Sequence, residues 1–371
     1  MPVPLLDVNA QNHPLQDEFT AAFQRVLGHG MFIMGREVDE LEAEIKAFLG
    51  AKYVLGVSSG TDALLLALMA LDIGPGDEVI CPTFTFFATG GCVSRVGATP
   101  VFVDVQESDF NIDLDAIKRK ITPRTKAIMP VHLFGQSADM DGIMAIAAEH
   151  GLTVIEDAAQ SFGARYKGQQ SGTIGHFGAY SFFPSKNLGA LGDAGLLVTN
   201  DDELGQRAKI LRVHGMEPKY YHREVGGNFR IDALQSAFLR IKLRHYDSYT
   251  SRRQANAAWY RSKFGDSLKG KIVLPTEEED RFHIWNQFTL RVLNGRRDEF
   301  RAHLAKAGIG CDIYYPLTLD QQECFQKLPQ SSLDGISTAH RLASEVISIP
   351  IYPELREEQR EEVAAAILSF V

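Results

Sequence analysis

One cation stands alone in the stretch Ser181-Phe182-Phe183-Pro184-Ser185-Lys186-Asn187-Leu188-Gly189-Ala190-Leu191-Gly192-Asp193-Ala194-Gly195. Most of its neighbours are aromatic, aliphatic or glycine, a composition suited to burial. An ammonium buried without a partner loses its hydration, so its pKa falls and a neutral amine results. A neutral amine attacks carbonyls, which is the entry to Schiff-base chemistry. The competing reading of Lys186 is a solvated lysine on the turn after Pro184, the usual fate of that residue type.

Other polar groups bear on the choice. Val154-Ile155-Glu156-Asp157-Ala158-Ala159-Gln160 ends an apolar run in two acids. A carboxylate at that depth needs a partner, and a protonated pyridine nitrogen is one candidate. Asp157 and Gln160 also have capping-box spacing. Ser58-Ser59-Gly60-Thr61-Asp62 joins a strand to a helix, where free N–H groups and the helix dipole can cradle a phosphate. Gly60 lets a backbone approach closely and Thr61 adds a hydroxyl. The same place reads as an ordinary N-cap, or as the hydrolase pattern G-x-S-x-G with Ser58 as nucleophile and Asp157 and His214 following in order. Pro82 to Thr89 carries three aromatics after a strand end, and Phe86 is the ring chosen to stack on a planar ligand. Lys219, Tyr220 and His222 form a polar loop suited to ligand groups. Asn228, in Gly226-Gly227-Asn228-Phe229-Arg230, has the composition of a helix cap. No His/Cys grouping has zinc spacing, so no metal is expected. Gly163 to Gln169 lacks the P-loop lysine, and Gly74-Pro75-Gly76-Asp77 is not a dinucleotide fingerprint.

The elements that must position these groups alternate. Strand patterns at Tyr53–Val57, Glu78–Cys81, Val101–Val105, Ala127–Leu133, Leu152–Glu156, Tyr180–Phe183 and Leu196–Thr199 are apolar throughout, with helical patterns between most of them. That predicts an α/β fold with a largely parallel sheet covered on both faces. Ligands in such sheets sit at the carboxyl ends of strands. A long helix is expected from Ile231 past Leu243, another over Arg252–Phe264, a strand over Phe282–Val292 and a last helix over Glu357–Phe370. The domain change falls between about Asp247 and Phe264.

The 371 residues carry a net charge of −9 and are 45% hydrophobic. Such a balance argues against a nucleic-acid backbone or an anionic membrane as partner. No apolar run approaches the ~18 residues of a membrane span. Four unpaired-looking cysteines and the absence of a leader pattern make a reducing, cytoplasmic setting the expectation.

Taken together, these segments resemble the DegT/DnrJ/EryC1/StrS family of sugar aminotransferases, pyridoxal-phosphate enzymes of the aspartate-aminotransferase fold type I. The resemblance also covers Gly35-Arg36-Glu37-Val38, Val131-His132-Leu133-Phe134-Gly135-Gln136 and Arg212-Val213-His214-Gly215. It implies a large domain, residues 1–250, with a mostly parallel seven-stranded sheet, and a smaller C-terminal α+β domain, residues 251–371. It implies pyridoxal 5′-phosphate on Lys186, with Asp157 at the pyridine nitrogen, Gln160 at the ring hydroxyl and Phe86 against the ring. Gly60, Thr61 and Ser181 would hold the phosphate, joined by Asn228 of a second subunit in a homodimer with shared sites. The implied reaction moves an amino group from an amino acid, by family habit glutamate, to a nucleotide-linked ketosugar. Lys186-Asn187-Leu188-Gly189 resembles members acting at sugar C3 more than those acting at C4. Lys219, Tyr220, His222, Arg230 and Tyr314 are the expected substrate contacts. The chain departs from many relatives at Phe229 and Tyr314. Cyclitol amination, sugar dehydration and a non-catalytic regulator are the alternatives within the same fold type.

Overall fold

The computed structural model describes residues 2–327 and 334–371. Seven strands form the main sheet: β1 (Tyr53–Val57), β2 (Glu78–Pro82), β3 (Thr99–Val103), β4 (Thr125–Ile128), β5 (Thr153–Asp157), β6 (Phe177–Ser181) and β7 (Gly195–Thr199). Their order across the sheet is β1-β7-β6-β5-β4-β2-β3. All run parallel except β7, which is antiparallel to both of its neighbours.

The continuous apolar runs have a physical reason. Successive side chains of a strand point to opposite faces, and both faces are covered. Val79 and Cys81 of β2 join one core with Ile155, Ala179 and Leu197, packed under helix α1 (Gly60–Ala70). Ile80 between them joins a second core with Val101, Ile128, Val154 and Ile143. Helix α1 buries almost its whole surface, which is why it reads as an unbroken apolar run instead of a stripe.

Helix α2 (Ala233–Leu243) and helix α3 (Tyr246–Phe264) replace the expected long helix and its follower. The break lies at Arg244-His245, where His245 has φ −102° and ψ 0°. The cap before α2 is Asp232, which accepts from the Gln235 amide at 2.8 Å, and not Asn228. Asn228 lies in extended backbone, bridged to Val213. A separate apolar core gathers Ala257, Tyr260, Phe264, Phe288, Leu290, Ile347, Ile349 and Val363 around a three-stranded sheet. The strand expected over Phe282–Val292 is two pieces, Arg281–Phe282 and Phe288–Val292. Trp285 between them has φ 51°, which no strand accommodates. The strand expected over Tyr180–Phe183 lies earlier, at Phe177–Ser181, because the chain turns back after Phe182.

One close approach couples the sheet to the functional end. A Cβ on Gly195 would stand 2.3 Å from the Ser59 carbonyl carbon, at the turn that opens α1. Overpacking of a tight site costs ~1–3 kcal/mol. Gly195→Ala is therefore expected to lower unfolding free energy by about 2 kcal/mol in urea titration. An unchanged midpoint would contradict the contact.

Candidate active site

At the carboxyl ends of the parallel strands lies a cavity of about 460 Å³. Its walls include Gly60, Thr61, Phe86, Asp157, Gln160, Ser181, Lys186 and Tyr314. Helix α1 points its start at it. Ser59 caps that helix, accepting from the Asp62 amide at 3.1 Å. The Gly60 and Thr61 amides, first in the helix, have no intrahelical acceptor and remain free for an anion. Gly60 is required by space: a Cβ there would stand 2.8 Å from Ser181 Cβ.

Asp157 is the last residue of β5. Its amide donates to Pro130 O (2.8 Å) and its carbonyl accepts from the His132 amide (3.0 Å), so the backbone is held on that side. Its carboxylate accepts from Thr89 Oγ1 at 2.7 Å and from the Ala159 amide at 3.2 Å. Burial pushes the Asp157 carboxyl up, while those two donors and the charge of Lys186 oppose the rise. Glu156, one residue earlier, faces the opposite way. It is fully satisfied by His132 Nε2 (2.7 Å) and the amides of Gly172, Ile174 and Gly175.

Lys186 follows the turn after β6, its amide donating to Phe183 O at 2.8 Å. Burial lowers its pKa to about 8, against the pull of Asp157. The side chain is deep but keeps some access through the cavity. The two charges share a cavity yet form no ion pair, so more than 4.0 Å separates them. An amine whose pKa is lowered to about 8 and a buried carboxylate, kept from pairing within one cavity, suit the two ends of a planar ring. The aldehyde-bearing pyridine of pyridoxal phosphate meets both needs, and the free amides at α1 suit its phosphate. These residues fit the group.

A profile of the DegT/DnrJ/EryC1/StrS aminotransferase family matches residues 14–368. The chain belongs to this family. Pyridoxal 5′-phosphate is the cofactor of these aminotransferases. A Geobacillus stearothermophilus protein named as a pleiotropic regulatory protein is 45% identical over 370 residues, covering 100% of this chain and 99% of its own. The UDP-N-acetyl-3-dehydro-α-D-glucosamine 3-aminotransferase of Acidithiobacillus ferrooxidans is 45% identical, covering 98% and 97%. Among solved structures, S. venezuelae DesV in complex with a ketimine intermediate superposes with a TM-score of 0.94. It is 42% identical and covers 100% of this chain and 98% of its own.

The sequence expectations meet the aminotransferase site unevenly. Gly60, Thr61, Phe86, Asp157, Gln160, Ser181, Lys186 and Tyr314 come together. Phe86 leaves 58% of its surface open. Lys219, Tyr220, His222, Asn228 and Arg230 lie outside the lining of this cavity, and the first four are exposed. The Asp157–Gln160 capping box does not form, because a turn and not a helix follows β5. Gln160 instead accepts from the Phe134 amide (2.8 Å) and donates to Tyr315 Oη (2.7 Å). The hydrolase alternative fails geometrically as well: Ser58 Oγ donates to Asp62 Oδ2 at 2.5 Å, and no histidine reaches it among the described residues. Among the described residues no His/Cys/Asp/Glu cluster suits a metal, and no helix is long and apolar enough to cross a membrane.

Sequence reasoning missed Thr89, Tyr315, Ser185, Asp193 and Gln287. Thr89 had one signal: it lies four residues after Thr85, and the two hydroxyls meet at 3.1 Å.

The lowered lysine pKa has a measurable consequence. Between about 8 and the ordinary ~10.4, the unfolded chain holds a proton that the folded amine has released, so stability rises with pH there. Below about 8 the folded state carries the whole cost of burial. Lys186→Met should stabilise the cofactor-free protein at pH 7 by up to ~2 kcal/mol, discounted for cavity water. The gain should shrink above pH ~9. Denaturant curves at three pH values check it, and Lys242, also held near 8, is common to both proteins.

Proposed function

We propose that this aminotransferase moves an amino group from an α-amino acid, glutamate by family habit, to C3 of a nucleotide-linked 3-ketosugar. The observation that carries the chemistry is the separation of Lys186 and Asp157 within one cavity. The sugar and the carbon follow the Acidithiobacillus relative, whose name specifies a UDP-linked 3-dehydro sugar.

When bound, the cofactor supplies an aldehyde and an electron-withdrawing ring. Asp157 would face the ring nitrogen and keep it protonated. Thr89 Oγ1 and the Ala159 amide hold that carboxylate in place and favour its charged form. Lys186 Nζ, whose lowered pKa makes the neutral form accessible, would take the proton from the donor's Cα and hand it on as general base and then acid. Gln160, fixed between the Phe134 amide and Tyr315, would meet the ring hydroxyl. Gly60, Thr61 and Ser181 would hold the phosphate, and Phe86 would cover the ring.

The partners and organisation follow the same reading: a cytoplasmic homodimer, with residues 1–250 as the cofactor-binding domain and 251–371 as the smaller one. An exposed apolar group on the N-terminal segment, Phe23, Leu27, Met31, Phe32 and Ile33, supports association. The exposed Lys219, Tyr220, His222 and Asn228, with Arg230, would then serve a neighbour's cavity, while Tyr314 lines its own.

A panel of UDP- and dTDP-linked 3-keto and 4-keto sugars, followed by cofactor absorbance, tests the assignment. Turnover confined to 4-keto substrates would remove the C3 claim, and none with any ketosugar would remove the function. Asp157→Asn should cut transfer by ~10² or more while cofactor still binds, as expected for loss of a preorganised charge. Thr89→Val, which removes one charge-assisted bond, should cost ~10-fold or more and shift the pH dependence of the cofactor's absorbance. An unshifted absorbance profile would leave Thr89 a packing residue only.

A further inference from the structure

The reaction cavity is poor in positive charge. Among the described residues Lys186 is the one cation in its lining, against Asp157 and Asp193. An amino-acid donor nevertheless brings a carboxylate. Its carboxyl carbon is one bond, about 1.5 Å, from the Cα that gives up the nitrogen. The anion therefore has to be met close to Lys186.

Beside this cavity lies a smaller one of about 30 Å³. The two share Ser185, Gln287 and Tyr314 as walls. Arg253, on helix α3, lines the small one and is 2% exposed. One guanidinium nitrogen, Nη1, donates to Trp285 O at 3.0 Å and Asn286 O at 3.4 Å. Nε has no acceptor, and Arg253 makes no ion pair among the described residues. The Glu354 carboxylate acts on it only at a distance, and burial holds Glu354 itself above its usual range. A buried guanidinium without a counter-charge is costly, and such groups are as a rule paired. The volume is telling: a water-sized site needs ~10–15 Å³, so the space suits about two oxygens, the number in one carboxylate. Arginine's planar fork matches that group in both shape and charge.

We propose that the small cavity is the subsite for the α-carboxylate of the amino-acid donor, with Arg253 as its counter-charge. This rests on the aminotransferase assignment and adds the place where the donor is recognised. Arg253 also ties α3 to the Trp285-Asn286 backbone, so the test has to separate recognition from scaffolding.

The holoenzyme, Arg253→Gln, Arg253→Lys and Asn286→Asp are compared, with melting temperature and cofactor absorbance reporting fold and loading. The first probe is succinate, a dicarboxylate without an amino group, titrated by calorimetry. Arg253→Gln is expected to weaken its binding ~30-fold or more, and Arg253→Lys to recover part of the loss. Asn286→Asp, which puts a carboxylate into the same wall, should weaken it ~10-fold or more in a folded protein. The second probe is the pair of half-reactions. Arg253→Gln should raise the KM for glutamate ~30-fold, with a much smaller effect on the half-reaction with aminosugar. Should Arg253→Gln not fold, the other two variants decide. Wild-type succinate affinity in folded Arg253→Lys and Asn286→Asp, or equal loss of both half-reactions in folded Arg253→Gln, overturns the subsite. If the unaltered enzyme binds succinate but aminates no ketosugar, the functional assignment fails and the subsite stands.

Discussion

An amine and a carboxylate line one cavity here, largely withdrawn from bulk water, and are kept from meeting. Left to themselves, two such groups would close into an ion pair, because attraction grows as water is excluded. Once paired, neither would be free for a ligand. The backbone prevents this. Asp157 is held by Pro130 and His132 on one side and by Thr89 and Ala159 on its carboxylate. Lys186 is set back by the turn that returns Phe182 to Ala194 and Ala190 to Phe182. The gap is a property of two rigid strand ends and the turn between β6 and β7.

The parity of β5 explains why the two adjacent acids have different fates. Glu156 faces inward to a ring of amides and to His132, where each of its oxygens is satisfied twice over. It is a structural anion that fixes the 172–175 turn to the sheet. Asp157 faces the cavity and keeps capacity to accept another donor. A one-residue slip of register would exchange the two and remove the site, so the pairing of β5 with β4 and β6 is part of the chemistry.

Much of this was legible in the residues, for reasons that differ by element. Strands buried on both faces announce themselves as apolar runs, so the sheet could be read. Lys186 stood out because packing alone gives no reason to place a lone cation among aromatics. Strand β6 was displaced in the reading because Gly178 interrupts its pattern, yet that glycine is demanded by the Gly172 carbonyl, 1.9 Å from where a Cβ would sit. The helix break at His245 carries no proline or glycine to mark it. Thr89 and Tyr315 were invisible for a deeper reason: each acts on a residue far away in sequence, Asp157 and Gln160, and only the fold brings them within bonding distance. The Asp157–Gln160 spacing misled in the opposite direction, since local pattern suggested a cap where tertiary partners had already taken both side chains.

The charge balance of the cavity bears on how a diphosphate is to be recognised. Two carboxylates and one partly neutral amine line it, a setting that repels an anion except at the free amides of α1, which the cofactor phosphate would occupy. The chain as a whole is also negative, so no long-range field draws a nucleotide in. Attraction must come from nearby cations that the lining does not include. Lys219, His222 and Arg230 lie outside that lining, and the loop that bears the first two is exposed, as are the rings of Tyr220 and Tyr221. Exposed aromatic and basic groups on one surface, and an anion-binding need on another, are complementary across two copies and wasted within one. That mismatch inside a single chain is what the proposed homodimer, with the nucleotide bound between two copies, would resolve.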